Sequence, residues 1–335
     1  MKTIRWGIIG VGDVTEVKSG PAFYKAPHSQ LVAVMRRNGD KARDFAERHH
    51  IARWYDDVDA LIHDPEVDVV YIATPPHMHQ PYTIKAAAAG KAVYCEKPMA
   101  RNYAECQSMI EVCRQAGVPL WVAYYRRAMP RFVKIKELID SKSIGEVRAV
   151  SIRLFRKADV HVDTPASDLP WRVVPEIAGG GHFVDLASHQ IDFLNYVLGP
   201  IEKVYGCATN QEGLYPAEDT VSATFQYASG VLGSGVWNFA AGYNADEMML
   251  VGTKGTLSFA TFGASPVVLT DGENMRSFTL DYPQHVHQPL IETIIAEMNG
   301  QGQCPSTGET AAKTNWFIDE VLKNYSAESD KKEAG

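Results

Sequence analysis

The sequence predicts an α/β chain in two parts: a parallel-sheet domain over residues 1–123, then an α+β domain with a large, mostly antiparallel open sheet over residues 124–335. Up to about residue 123, short apolar runs alternate with helix-length amphipathic ones, the texture of βαβ units. After Tyr124 the runs lengthen, alternate apolar with polar, and are joined by tight turns such as Ala228-Ser229-Gly230 and Gly252-Thr253-Lys254-Gly255. At 335 residues the chain has room for two cores of ordinary size.

In the first part, strands are expected near Ile4 to Ile9, Leu31 to Met35, Val67 to Ala73, Ala92 to Cys95 and Leu120 to Ala123. Helices fit between them over Asp40 to His50, Pro81 to Ala89 and Tyr103 to Ala116, with Gly90 and Gly117 as stops. In the second part a helix over Pro130 to Ser141 leads into strands near Glu146 to Phe155, Glu202 to Asn210, Thr220 to Tyr227, Val231 to Phe239, Ala245 to Val251 and Thr256 to Phe259. A helix over Gly181 to Leu198 interrupts them. Helices over Gln288 to Asn299 and Thr307 to Tyr325 follow, and Ser326 to Gly335 reads as a frayed polar tail.

Composition narrows the partners. Hydrophobic residues make up 45% and charged residues 22%, and no apolar run is long enough to span a membrane. A net charge of -7 argues against nucleic acid and for a small-molecule ligand. Five cysteines without a CxxC pair read as reduced thiols in a cytoplasmic protein, and the short, Gly-broken run after Met1 is a strand rather than a signal peptide.

Ile8-Ile9-Gly10-Val11-Gly12-Asp13-Val14-Thr15 ends a strand and opens a helix, so the glycines can bring backbone N–H groups up to a pyrophosphate. Thr15 stands at the third small position, and Gly20-Pro21 interrupts the helix that follows. The second strand runs into Arg36-Arg37, where an acidic residue would select NAD. Two guanidiniums instead favour the extra phosphate of NADP(H), with NAD(H) the alternative. Ala73-Thr74-Pro75-Pro76-His77-Met78-His79 ends the third strand and reads as a loop under the cofactor. As metal sites, His77-x-His79 and His285-x-His287 each lack a third ligand.

Two stretches carry candidate chemistry. Glu96-Lys97-Pro98 ends an apolar strand with an ammonium at the carboxyl edge, where α/β sheets bind ligands. Gly179-Gly180-Gly181 opens a helix on which Asp185, His189 and Asp192 share one face, a histidine flanked by carboxylates. Phe183, Leu186, Ile191, Phe193 and Leu194 predict that this helix is largely buried. Trp171, Arg172, Trp237, Asn238, Tyr282 and His285 are of the kind that stack on and bind sugars, with ordinary core and rim as the alternative.

The glycine turn, Thr74-Pro75-Pro76 with His79, Glu96-Lys97-Pro98, the triple glycine with Asp185-x-x-x-His189, and Gly252-Thr253-Lys254-Gly255 together resemble the Gfo/Idh/MocA family of oxidoreductases. The resemblance implies a Rossmann dinucleotide-binding domain followed by a substrate-binding and oligomerisation domain. It implies that Lys97, Asp185 and His189 surround the reacting carbon, that the Lys97–Pro98 peptide is cis, and that Trp171-Arg172 approaches the nicotinamide. The cofactor residues it implies are Gly10, Gly12, Asp13, Val14, Arg36, Arg37, Ala73, Thr74, Pro75, His79, Glu96, Lys97, Arg126, Trp171 and Arg172. Tyr125 departs from it, standing where many members have Asn before Arg126. The expected activity is NADP(H)-dependent hydride transfer with a sugar, polyol or related hydroxy or keto compound. In that scheme His189 is the general base, Asp185 orients it, and Lys97 stabilises the developing alkoxide. A glycoside hydrolase using bound nicotinamide and a non-catalytic nucleotide sensor are the alternatives. The second domain's sheet is expected to pair copies into a homodimer or homotetramer.

Overall fold

The computed structural model describes residues 1–333, and the chain clusters into two compact units. The first comprises 1–129 and 282–312, and the second 130–281 together with the chain after residue 312. A single cut at residue 123 therefore does not describe the path of the chain, because 282–312 return to the first unit. No sequence texture announces that return; the apolar side chains of Leu290, Ile291, Ile294 and Ile295 drive it by packing into the core beside Trp6, Phe23 and Tyr94.

The first unit holds a six-stranded parallel sheet of β1 (Ile4–Ile9), β2 (Ser29–Met35), β3 (Arg53–Tyr55), β4 (Val69–Ile72), β5 (Ala92–Cys95) and β6 (Leu120–Val122), in the order β3-β2-β1-β4-β5-β6. β4 and β5 are buried at every position, as expected of parallel strands covered on both faces. The strand order reverses between β1 and β4, which puts the crevice at the carboxyl ends of those strands. β6 would be an open edge, but Val122 N–H donates to Ser306 O at 3.0 Å and Ser306 Oγ to Val122 O at 2.7 Å, so the returning segment covers it. The helix Tyr103–Ala116 ends at Gly117 in the left-handed region (φ +66°).

The second unit holds an eight-stranded sheet, taken up after the helix Pro130–Asp140. Its strands are β7 (Val147–Phe155), β8 (Ile201–Thr209), β9 (Thr220–Tyr227), β10 (Leu232–Asn238), β11 (Ala245–Gly252), β12 (Gly255–Phe259), β13 (Val267–Asp271) and β14 (Asn274–Phe278), in the order β14-β13-β12-β11-β7-β10-β9-β8. All pairs are antiparallel except β7 with β10. Alternation buries Val150, Ile152, Leu154, Val221, Ala223, Phe225, Met248 and Leu250 on one face and leaves Tyr205, Leu232, Val236 and Met249 exposed.

Several expectations change. β3, the helix Val58–Ile62, β13 and β14 are additional. The single helix over 181–198 is a π-helical turn, Phe183–Ala187, followed by the α-helix Ser188–Leu198. The last helix runs Gly308–Glu333, so the backbone stays helical through most of the expected frayed tail, while residues 334 and 335 lie outside the described residues. All five cysteines are free thiols.

Candidate functional site

Gly10 and Gly12 do different work in the turn after β1. Gly10 has φ +96°, and a Cβ there would lie 2.9 Å from both Ala73 O and Thr74 Cγ2, so only glycine fits between the strands. Gly12 is extended, and a Cβ there would meet nothing within 4 Å. That open space is the cradle a pyrophosphate needs, with Asp13 and Val14 forming the first helical turn beside it. Thr15, at the departure from the glycine fingerprint, is fully buried. Its Oγ1 accepts from Gly12 N–H at 2.8 Å and donates to Gly12 O at 2.7 Å, which helps to hold the turn shut.

At the end of β2, Arg36 Nη1 donates to Val11 O at 3.0 Å, tying one guanidinium back onto the glycine turn. Arg37 is exposed. Ala73, Thr74 and Pro75 follow β4, where Ala73 N–H donates to Ile9 O at 2.8 Å. His79 is fully buried: Nε2 lies 2.8 Å from Thr74 O, and Nδ1 lies 3.1 Å from Pro98 O and 3.2 Å from Met99 O. Burial holds its pKa below the ordinary value. It is a strut joining the loops after β4 and β5, with no face turned to solvent.

Lys97 stands at the carboxyl end of β5, and its peptide to Pro98 is cis. Its backbone N–H donates to Glu96 Oε2 at 3.0 Å. The other Glu96 oxygen accepts from Tyr71 OH at 2.5 Å and lies 3.6 Å from His287 Nε2, while Tyr94 OH is 3.2 Å from His287 Nδ1. Burial, then Lys18, Lys97 and Arg126, push the His287 pKa down to about 3. The 3.6 Å contact is therefore not an ion pair, since the ring is neutral, and it is too long for a hydrogen bond. His287 is a residue that sequence reasoning missed, since its partners lie almost 200 positions earlier. Arg126 is buried, with its guanidinium 5.1 Å from the Tyr125 ring centroid and Nη1 donating to Tyr125 OH at 3.2 Å; the tyrosine that departs from the family pattern thus serves as its platform.

In the second unit the triple glycine is held from below. Gly181 N–H donates to Glu218 Oε1 at 2.8 Å, and a Cβ on Gly180 (φ +157°) would come within 3.3 Å of both Glu218 oxygens. Glu218 is 1% exposed, and its burial pushes the carboxyl up to about 7. Sequence reasoning missed it as well, because a carboxylate before an antiparallel strand normally faces water. Gly181 O in turn accepts from Asp185 N–H at 3.3 Å, and Asp185 O from Ser188 Oγ at 2.9 Å. Asp185 is half-buried and its Oδ2 lies 3.4 Å from Arg172 Nε. Arg172 itself stacks over Trp171 at 4.3 Å. His189 and Asp192 are buried, with the His189 ring 5.8 Å from that of Phe262. A π-turn between Gly181 and Ser188 alters the four-residue geometry expected of Asp185 and His189, and such turns recur at functional sites.

Three of the six residues expected to bind sugar are otherwise engaged. Trp237 is fully buried and donates from Nε1 to Gln190 Oε1 at 2.7 Å. Asn238 bonds to Thr220 Oγ1 and Ala240 N–H. His285 is buried with Nδ1 2.8 Å from Val17 O and Nε2 2.7 Å from Lys25 Nζ. Trp171, Arg172 and Tyr282 remain partly exposed. Among the described residues, no helix is long and apolar enough to cross a membrane.

Two family models match the chain. That of an oxidoreductase family with an NAD-binding Rossmann fold matches residues 4–124, and that of the GFO/IDH/MocA C-terminal domain matches residues 132–258. Oxidoreductase P35 of Formosa agariphila is 41% identical over 318 residues, covering 94% of this chain and 97% of its own. The trans-1,2-dihydrobenzene-1,2-diol dehydrogenase of Mus musculus is 32% identical, covering 81% of this chain and 78% of its own. A levoglucosan dehydrogenase solved in complex with NADH and levoglucosan superimposes with a TM-score of 0.85 at 22% identity, covering 97% of this chain and 98% of its own. A nucleotide turn after the first strand of a parallel sheet, a separate and mostly antiparallel sheet in the second unit, and a relative 41% identical over 94% of the chain have one reading: the chain belongs to the Gfo/Idh/MocA family of NAD(P)-binding oxidoreductases.

Proposed function

We propose that this oxidoreductase uses NADP(H) and acts on a secondary hydroxyl of a sugar or polyol, or on the matching ketone. The observation that carries the reading is in the first unit: an open glycine turn with exposed Arg37 at the end of β2, and Lys97 at the carboxyl end of β5 with its backbone clamped by Glu96. Gly10, Gly12, Asp13 and Val14 hold the pyrophosphate, and Arg36 and Arg37 the adenosine ribose and its phosphate. Ala73, Thr74, Pro75 and the His79 strut shape the floor. Arg126, Trp171 and Arg172 serve the nicotinamide end.

The nicotinamide, when bound, gives or takes the hydride. The chain's task is the proton and the charge. Lys97 donates a hydrogen bond to the substrate oxygen and stabilises its negative charge as the O–H is lost. His189 holds the proton that leaves that oxygen and returns it in the opposite direction. Asp185, anchored by Arg172, orients the imidazole or a neighbouring hydroxyl.

A ring-borne vicinal diol fits both the dihydrodiol named for the mouse relative and the anhydrosugar bound by the structural neighbour, which supports that substrate class here. The test is a fluorescence titration with NADPH and NADH, followed by a screen of sugars, polyols and cyclic diols for change at the nicotinamide absorbance band. Saturable binding of neither nucleotide ends the reading. We also propose that copies associate through the exposed face of the β7–β14 sheet, where Tyr205, Leu232, Val236 and Met249 lie open. Sedimentation velocity giving a dimer or tetramer in the wild type and a monomer in a Leu232→Glu, Val236→Glu chain supports it; a monomeric wild type sinks it.

A further inference from the structure

His77 was set aside as half of a metal site, yet its surroundings suit a different ligand. It stands in the turn Pro76–Met78 after β4. β4 and β2 are the two neighbours of β1, so the loops that follow them flank the glycine turn at the carboxyl edge of the sheet. The charges felt at the ring are those of Arg101 and Arg37, opposed by Glu105. Arg101 is already engaged, its Nε donating to Glu105 Oε1 at 2.9 Å, whereas Arg37 is exposed. Of these two guanidiniums, that of Arg37 is the one turned to solvent.

The ring's tautomer follows from its burial. Nδ1 is buried and has no hydrogen-bond partner. A proton there would be an N–H pointed at no acceptor and close to positive charge, whereas a lone pair is favoured by that charge. The proton therefore sits on Nε2, the nitrogen left to present a donor. Burial and the two arginines lower the pKa and keep the ring neutral near pH 7. A neutral N–H donor on one loop flanking the glycine turn, with an exposed guanidinium on the other, suits a phosphate dianion.

We propose that His77, through Nε2–H, joins Arg37 in binding the 2′-phosphate of the NADP ribose, and is a specificity-determining residue for that cofactor. This rests on the NADP reading above and adds a residue to it. The selectivity then comes from two strands' loops rather than from the end of β2 alone.

The experiment is calorimetric titration of adenosine 2′,5′-bisphosphate and adenosine 5′-monophosphate, with NADPH and NADH alongside, into the wild type and three variants. His77→Ala should weaken the bisphosphate and NADPH about tenfold, the scale of one charge-assisted hydrogen bond, while the monophosphate and NADH move less than about twofold. His77→Gln places an amide nitrogen near the position of Nε2 and should restore most of the loss. His77→Asn places it near Nδ1 and should not. Equal losses with and without the 2′-phosphate, or no loss in His77→Ala, overturn the proposal. A wild type that binds NADPH no more tightly than NADH defeats the NADP reading itself. A wild type that prefers NADPH, with His77→Ala preferring it equally, defeats only the role of His77.

Discussion

At the scale of single residues, the two glycines after β1 make opposite predictions. Gly10→Ala must enter the left-handed region and approach Ala73 O to 2.9 Å, so it should lower the unfolding free energy by roughly 1–3 kcal/mol. At Gly12 a Cβ meets nothing within 4 Å, so Gly12→Val should cost no more than about 1 kcal/mol, the scale of an N-cap change, while NADPH affinity falls at least about tenfold. Urea unfolding and fluorescence titration on the same two samples separate these effects; a Gly12→Val chain that binds NADPH normally shows that the cofactor does not use the cradle. Such residues were legible in the sequence because their chemistry is local: a glycine pair after a strand, a lysine at a strand end. Trp237 and His285 were misread as sugar contacts because what engages them, Gln190 and Val17, lies far along the chain.

Elements were legible in proportion to how much of their pattern is buried. β5 and the helix Tyr103–Ala116 fall on their expected limits, since continuous apolar runs and a terminal glycine mark them. β14 was missed because nearly all of it is exposed, and β3 because three residues carry too little periodicity. The π-turn Phe183–Ala187 has no sequence signature of its own, and the triple glycine revealed only that something pressed close. What presses is Val184, Ala217 and Glu218, and of these Glu218 titrates. Its carboxyl has a pKa of about 7 when folded and an ordinary value near 4.5 when unfolded, so the unfolded chain releases the proton first. Its contribution to stability is complete below about pH 4.5 and is lost as the pH rises through 7. Glu218→Gln keeps an oxygen for Gly181 N–H and removes the titration. The variant should match wild type at pH 4.5 and be more stable by about 2–3 kcal/mol at pH 8, read from urea midpoints at unchanged slope. A variant that is less stable than wild type at pH 8 would show that the ionised carboxylate is the better anchor.

For the molecule as a whole, one buried group in each compact unit carries a pH signature opposite to the other's. His287 in the first unit is pushed down to about 3, so the stability it contributes is present above its unfolded value near 6.5 and is lost as the pH falls through 3. Glu218 in the second unit runs the other way. Between about pH 4.5 and 6.5, hydrogen exchange corrected for its intrinsic rate should show protection rising with pH around β4 and β5 and falling with pH around Gly181 and β9. Parallel trends in both units would contradict these assignments. The two-part architecture was legible as a change of texture at Tyr124. The return of residues 282–312 to the first unit was not, because packing against a distant core leaves no local mark.

If Lys97 stabilises charge on a substrate oxygen, as proposed, removing its ammonium must slow nicotinamide-dependent turnover. The most direct measurement is turnover of Lys97→Met beside wild type, followed at the nicotinamide absorbance band with NADP and the best substrate from a panel of sugars, polyols and cyclic diols. For that role of Lys97, kcat is expected to fall by about 10² to 10⁴, with NADPH affinity within about threefold. A Lys97→Met chain that turns over at near the wild-type rate would contradict it.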